Sequence, residues 1–380
     1  MAANLSSRSL RVLILNYEYP PLGGGAGVAT RYLLSALDRQ GGLHVDLVTS
    51  SLRHTRIEWP YPRTRIHYLD IGKKGSVHYQ TQLNLLTYAT RAFFYARKLL
   101  RETPYDIVHA FFGIPCGAVA RQLNLPYIVS LRGSDVPFYN ERFKTWDTLL
   151  FKRMSRSVWR DADKVVANSE GLKSLARASA PNQPIEVVYN GVDTEFFKPD
   201  EARRPGDTLI VVSTGRLIER KGYHHLIEAL GGIDGVTLQL IGDGTRQAAL
   251  EKLAHRHRVD VRFLGVQPRE KVARCLRHAD LFVLPSLNEG MSNALLEALA
   301  AGLPVVVTDV GGSSELVENN GIIVEKGNKR ALRDAVLLYK NNPDLLREHG
   351  AASRKRAQSM SVDAMASAYA AMYDEAARRR

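Results

Sequence analysis

Two carboxylates eight positions apart, Glu289 and Glu297, bracket a segment that changes from one kind of backbone to another. The segment is PSLNEGMSNALLEALAAG, residues 285–302. The apolar run ADLFVLPS before and into it reads as a buried strand, and Pro285, Ser286 and Asn288 read as the turn that leaves it. Gly290 lets the backbone come close to a ligand. Asn293 to Ala301 are strong helix formers, and Gly302 with Pro304 stop the run. A glycine-containing loop that feeds a helix N-terminus offers unpaired N–H groups and a partial positive charge, and that combination favours phosphate. Eight residues of helix rise about 12 Å, so the two carboxylates can address separate parts of one ligand. The plainer alternative has Glu289 capping the helix and Glu297 on its wet face.

Cations stand where a phosphate would need them. Arg216 and Lys221 lie five apart in GRLIERKG, residues 215–222, on a loop that leaves a strand and enters a helix. A guanidinium fork and an ammonium point charge at that spacing can converge on one diphosphate. The alternative is a pair of surface cations. Gly242-Asp243-Gly244 follows the next strand and forms a second tight loop. In the first half, YIVSL (residues 127–131) ends in Arg132, Gly133 and Asp135, at the edge where parallel sheets place their sites. Arg132 stays protonated and cannot act as a base, but it can clamp an acceptor phosphate or carboxylate. Asp135 can accept a proton, hold a hydroxyl, or simply close a turn. His109 in DIVHAFF reads first as a buried imidazole with its bonds satisfied.

The elements that must position these groups restart once. LRVLILN (residues 10–16) is a strand, Gly23-Gly24-Gly25-Ala26-Gly27 a loop, and 28–40 a helix. As a dinucleotide fingerprint this fits poorly: with Gly25 and Gly27 as G-x-G, the third glycine falls on Thr30. Further strands are expected at 44–49, 65–70, 106–111, 127–131 and 162–169, then at 208–214, 236–241, 261–264, 281–285, 305–308 and 322–324. Apolar, unalternating strands separated by helices imply parallel sheets covered on both faces. The expected division is a first Rossmann-like domain over 1–190, a hinge over 191–207, a second Rossmann-like domain over 208–361, and a final helix over 362–380.

The totals narrow the function. A chain of 380 residues suits two domains. It has no apolar run long enough to span a membrane and no signal-peptide core at its start. Two cysteines, Cys116 and Cys275, make no metal pattern and fit a reducing, cytoplasmic setting. Residues 1–190 hold 25 Lys/Arg against 14 Asp/Glu, and residues 191–380 hold 27 against 25, so nearly all of the +13 net charge is in the first half. An anionic surface or substrate should therefore meet that half. Two stretches there mix basic and large apolar residues: 81–102, with Arg91, Arg97, Lys98 and Arg101, and 138–160, with Arg142, Lys144, Lys152, Arg153, Arg156 and Arg160. Such helices can lie on anionic membranes, or can be core helices with a solvated basic back. No aromatic–basic nucleic-acid motif is present. Asp161-Ala162-Asp163 enters a strand and reads as a turn, not a metal site.

Together, EGMSNALLE (289–297), GRLIERKG (215–222) and NGVDTEFF (190–197) resemble the signature of the retaining family-4 glycosyltransferases of group 1, and the resemblance covers almost the whole chain. It implies the GT-B fold: two Rossmann-like βαβ domains facing across a cleft, with the last helix crossing back to the first domain. It also implies a nucleotide-diphosphate sugar donor, UDP- or GDP-linked, and transfer to a hydroxyl with retention, without metal or other cofactor. On this resemblance Glu289 touches the sugar and Glu297 the ribose. Arg216 and Lys221 hold the diphosphate together with the backbone of Gly290, Met291, Ser292 and Asn293. Gly24, Gly25 and Gly244 approach the donor. The family often has a His-Gly pair where this chain has Arg132-Gly133. The implied acceptor is a glycan or lipid-linked glycan of the cell surface, with peripheral contact at the inner face of an anionic membrane and no nucleic acid. A glycosyl phosphorylase, a hydrolysing sugar-nucleotide epimerase and a non-catalytic nucleotide-sugar or nucleic-acid binder remain as rival readings at this point.

Overall fold

The computed structural model describes residues 9–73, 80–139, 151–200 and 206–378. Parts of the expected hinge, of the basic stretch 138–160 (Arg142 and Lys144 among them) and the last two arginines lie outside these residues. The described residues form two compact units: those up to Gly191 together with those from Val362 onward, and Val192–Ser361.

Unit 1 is built on β1 (Leu10–Leu15), β2 (Leu43–Ser51), β3 (Arg56–Tyr61), β4 (Thr64–Asp70), β5 (Ile107–Phe111), β6 (Tyr127–Leu131), β7 (Lys164–Ala167) and β8 (Glu186–Val187), in the order β3-β4-β2-β1-β5-β6-β7-β8. Every pairing is parallel except β3 with β4. β1 and β5 are buried almost throughout, as two-sided cover by helices requires. β3 is the departure from an all-parallel sheet. It is a largely exposed antiparallel edge, and it carries none of the apolar density that marks the other strands.

The first helix spans Gly25–Gln40, three residues earlier than its side chains suggest, because Gly25, Ala26 and Gly27 are already helical. The last helix, Val362–Arg378, belongs to unit 1. Val362, Met365, Ala366, Tyr369, Met372, Tyr373 and Ala376 recur at helical spacing and are buried in the unit 1 core. Arg39 pairs with Asp363 at 2.8 Å and Lys164 with Glu375 at 2.9 Å, tying the helix to unit 1 at both ends.

Unit 2 is a wholly parallel sheet of β9 (Leu209–Thr214), β10 (Val236–Ile241), β11 (Asp260–Gly265), β12 (Leu281–Leu284), β13 (Val305–Thr308) and β14 (Gly321–Val324), ordered β11-β10-β9-β12-β13-β14. That order reverses direction between β9 and β12. In open α/β sheets the crevice outside the strand C-termini at such a reversal is where ligands bind. Residues after Gly191 are packed onto this unit: Val192 donates to the Met360 carbonyl, and the Arg354 guanidinium donates to the carbonyls of Thr194, Phe197 and Ala300.

One buried charge in unit 1 is structural. Asp46 is 2% exposed. Its oxygens accept both arms of Arg65 at 2.6 and 2.8 Å, the Tyr105 hydroxyl at 2.7 Å, and the His67 ring at 2.8 Å. Burial works to raise its pKa, but the hydrogen bonds from His67, Arg65 and Tyr105 outweigh it and hold the carboxyl at about 2. A depressed carboxyl pKa contributes stability above the unfolded value of about 3.9 that is lost as pH falls toward the folded value. Asp46→Asn is therefore expected to destabilise the protein by about 3 kcal/mol at neutral pH. The gap to wild type should close between about pH 4 and pH 2. Thermal unfolding of both proteins across that range checks it.

Candidate active site

The unit 2 site grows from two loops that sit side by side because β9 and β12 do. After β9, Gly215–Ile218 runs into a single 3₁₀ turn, Glu219–Lys221, and then the helix Tyr223–Leu230. After β12 the chain passes through Ser286–Gly290 and enters the helix Asn293–Ala300. Two features lock these loops together. The Leu287 N–H donates to the Arg220 carbonyl at 2.8 Å. Gly222 has φ +65°, and a Cβ there would collide with the Pro285 carbonyl, so only glycine permits this approach. A third loop closes from β13, where Gly311 lies against the Glu289 carbonyl and Gly312 N–H donates to the Gly290 carbonyl at 3.0 Å.

This framework brings Lys221 and Glu289 together. Sixty-eight residues apart in sequence, they form a hydrogen-bonded ion pair whose side chains are 12% and 10% exposed. Ser286 Oγ donates to the same carboxylate at 2.9 Å. Burial pushes the Glu289 pKa up, but the charge of Lys221, its hydrogen bond, the charge of Arg220 and the Ser286 hydroxyl push harder, and the net direction is down. Glu289 is thus a buried carboxylate held ionised. A buried ion pair is a poor source of net stability, because desolvation offsets most of the attraction. It lies at the reversal of strand order, where open α/β sheets bind their ligands.

Ser292, not Glu289, caps the helix: its side chain accepts from Leu295 N–H at 3.3 Å. Glu289 is free of the capping duty that the plainer reading gave it. Met291 and Ser292 are buried, Asn293 begins the helix, and Glu297 lies half-buried in its second turn. Arg216 is half-buried at the exit of β9. Gly244 packs flat against the backbone of Leu217, where a Cβ would overlap the Leu217 carbonyl. Among the described residues, no group of three or more His, Cys, Asp and Glu side chains is placed to hold a metal ion.

In unit 1 the candidates serve as internal ties. Asp135 is buried, and its two oxygens accept the backbone N–H groups of Gly113 at 2.7 Å and Arg132 at 2.8 Å. Burial raises its pKa against the pull of those bonds. Each oxygen thus holds one backbone N–H, an arrangement that closes the turn. The Arg132 guanidinium donates to Asn190 Oδ1 at 2.7 Å and to the Tyr369 hydroxyl at 3.4 Å, and lies over the Phe111 ring at 4.3 Å. The chain continues through Tyr369 to Ser130 and on to His109, whose other nitrogen meets the Tyr373 hydroxyl at 2.7 Å. His109 is fully buried and satisfied, with its pKa lowered first by burial and then by the charge of Arg132. At the first helix, the Gly24 N–H donates to the Glu18 carboxylate at 3.0 Å. The protein's own carboxylate thus meets the start of the first helix, at the loop that the resemblance has approach the donor.

Sequence reasoning passed over three residues of these sites. Ser286 looked like a turn residue, Arg220 stood beside the more obvious Lys221, and Glu18 lay six residues before the glycine it holds. A polar residue three positions before a motif carboxylate, and an acid shortly before a glycine loop, were the available signals.

Two family models match the chain in succession: Glycosyltransferase Family 4 over residues 23–196, and glycosyl transferases group 1 over residues 194–356. The chain belongs to the group 1, family 4 glycosyltransferases. The lipopolysaccharide core biosynthesis glycosyltransferase LpsE of Rhizobium meliloti is 35% identical over 187 residues, 47% of this chain and 54% of that protein. Sucrose-phosphate synthase from Thermosynechococcus elongatus shares the fold at a TM-score of 0.83 and 23% identity, over 96% of this chain and 98% of that one. Anabaena HepE, solved in complex with UDP, shares it at 0.74 and 18% identity, over 96% of this chain and 100% of that one. The fold of this family-4 glycosyltransferase is GT-B, as the resemblance implied.

Proposed function

We propose that this glycosyltransferase moves a hexosyl unit from a UDP- or GDP-sugar to a hydroxyl of a glycan or lipid-linked acceptor, with retention at the anomeric carbon and without a metal or other cofactor. The carrying observation is the buried Lys221–Glu289 pair at the strand-order reversal, beside the first turn of the helix Asn293–Ala300. The UDP in the HepE structure supports a nucleotide donor. The role of LpsE supports a cell-surface glycan acceptor, and the basic first half supports one that is anionic or sits at the inner face of an anionic membrane.

In this reading the bond from the sugar C1 to the diphosphate oxygen breaks and a bond from C1 to the acceptor oxygen forms on the same face. The departing phosphate takes the acceptor proton. Negative charge grows on the diphosphate, and Lys221, Arg216 and the N–H groups of the Gly290–Asn293 turn meet it. Glu289 orients the sugar and balances the positive charge that develops on its ring. Glu297 receives the ribose.

The test is release of nucleoside diphosphate from a panel of UDP- and GDP-sugars, with and without membrane extract. One donor should turn over, with dependence on the extract, and Arg216→Ala should lower the rate about a hundredfold. Turnover that needs no acceptor would favour the epimerase reading, and binding without turnover would overturn the transferase reading.

A further inference from the structure

We propose that unit 1 carries a groove that seats a single hydrocarbon chain of an anionic membrane lipid. The inference rests on the membrane-contact part of the reading above and is independent of the donor chemistry.

The groove is a cavity of about 470 Å³ between the helix Gln82–Glu102, the segment 113–122 that follows β5 and the helix Lys152–Arg160. Its walls are almost wholly apolar, with Leu85, Leu86, Phe93, Ile114, Val119 and Met154 prominent. Its size is within the range of ligand sites, about 300–1,000 Å³. Beside it, Leu83, Leu86, Phe94 and Met154 are 70%, 65%, 64% and 41% exposed. Among the described residues nothing covers this patch. Contiguous exposed apolar surface of this kind marks a partner.

The charge around the groove says which partner. Leu83, Leu86, Thr90, Phe94, Arg97 and Arg101 follow one another at spacings of three or four and so share the outward face of one helix. Apolar side chains occupy its first half and cations its second. The helix carries Arg91, Arg97, Lys98 and Arg101 against a single acid, Glu102. The neighbouring helix carries Lys152, Arg153, Arg156 and Arg160 and no acid. Some of these cations are engaged locally: Arg91 by the Asp70 carbonyl, Lys98 by Glu102 at 3.7 Å, Arg156 by the Ser179 carbonyl and Arg160 by Asp161. Arg97, Arg101 and Arg153 are exposed. An apolar slot between two helices whose charged residues are mostly cations fits a phosphate-headed lipid whose chain leaves the bilayer interface.

The experiment titrates the full chain with a monomeric single-chain lipid, palmitoyl lysophosphatidylglycerol, and with glycerol phosphate, its headgroup without the chain. Vesicles of phosphatidylcholine with and without phosphatidylglycerol form a second arm. The lysolipid should bind and the headgroup alone should not. Leu86→Gln and Met154→Gln, which change the walls, and Ala118→Phe, which fills the floor, should each weaken lysolipid binding about tenfold. Circular dichroism verifies that each variant is folded, and the two wall changes stand in if the filled variant is not. Wall variants that bind lysolipid and anionic vesicles like wild type, while Arg97→Glu with Arg101→Glu abolishes vesicle binding, would overturn the groove and leave a purely electrostatic membrane contact. Absence of binding to either lipid form would overturn both the groove and the membrane contact, and nucleoside diphosphate release would still report separately on the donor chemistry.

Discussion

Glu289→Gln is expected to lower kcat for sugar transfer about a thousandfold with a small change in donor KM. Glutamine keeps the volume and can still accept from Ser286, so the loop stays in place. It removes the carboxylate that, in the proposed mechanism, balances the positive charge developing on the sugar ring. A buried Lys221 is then left without its anion, and breaking one side of such a pair costs about 3–5 kcal/mol, less what glutamine recovers by hydrogen bonding. A merely structural role would predict that stability and activity fall and recover together. The double variant Lys221→Met with Glu289→Gln separates them when compared with Lys221→Met alone: removing both charges should restore much of the thermal stability, while the rate falls well below that of Lys221→Met. Parallel measurement of Tm and of single-turnover rates decides. Activity that returned with stability would reduce Glu289 to a packing residue.

How much of this was legible beforehand follows from which interactions are local. The strands β1, β5, β6, β9, β10, β12 and β13 announce themselves because burial on both faces demands predominantly apolar runs. The helix Asn293–Ala300 announces itself by composition and by the Gly302 stop, which takes φ +74°. β3 did not, because an exposed antiparallel edge has no need of such a run. The reach of the loops was visible only as motifs. Nothing in the order of residues says that Lys221 and Glu289 meet, since that depends on β12 inserting beside β9 and on Gly222 passing under Pro285. The same limit hid the use of Asp135 and Arg132. Both stand at the end of a parallel strand, where ligands bind, and both also make contacts to Gly113, Asn190 and Tyr369 that lie far along the chain. Glu18 shows the reverse case, a short-range contact in which the protein supplies its own anion to a helix N-terminus.

Lys221→Met is expected to reverse the pH response of the site as well as to slow it. In the native protein the Glu289 pKa lies below its ordinary value of 4.5 although burial opposes that. Its carboxylate is therefore ionised throughout the neutral and mildly acidic range, and kcat should be flat there as far as Glu289 is concerned. Lys221 is the largest of the charges holding it down, by both Coulombic attraction and hydrogen bonding. Without Lys221, burial dominates and the pKa rises above the ordinary carboxyl range. The residual activity, already lower by a factor of about a hundred from loss of the proposed diphosphate contact, should then acquire a limb that falls as pH is lowered toward the raised pKa. Stability should move in opposite directions in the two proteins. The depressed native pKa contributes stability that is present above the unfolded value and lost as pH falls through the folded one. In Lys221→Met the folded carboxyl binds its proton more readily than the unfolded one, so the variant gains stability relative to wild type as pH falls and loses it as pH rises through the raised pKa. Opposed slopes of Tm against pH, together with a new acid limb in kcat, would identify Lys221 as the group that keeps Glu289 charged. Parallel slopes with an unshifted profile would assign that task to Arg220 and leave Lys221 to the diphosphate alone.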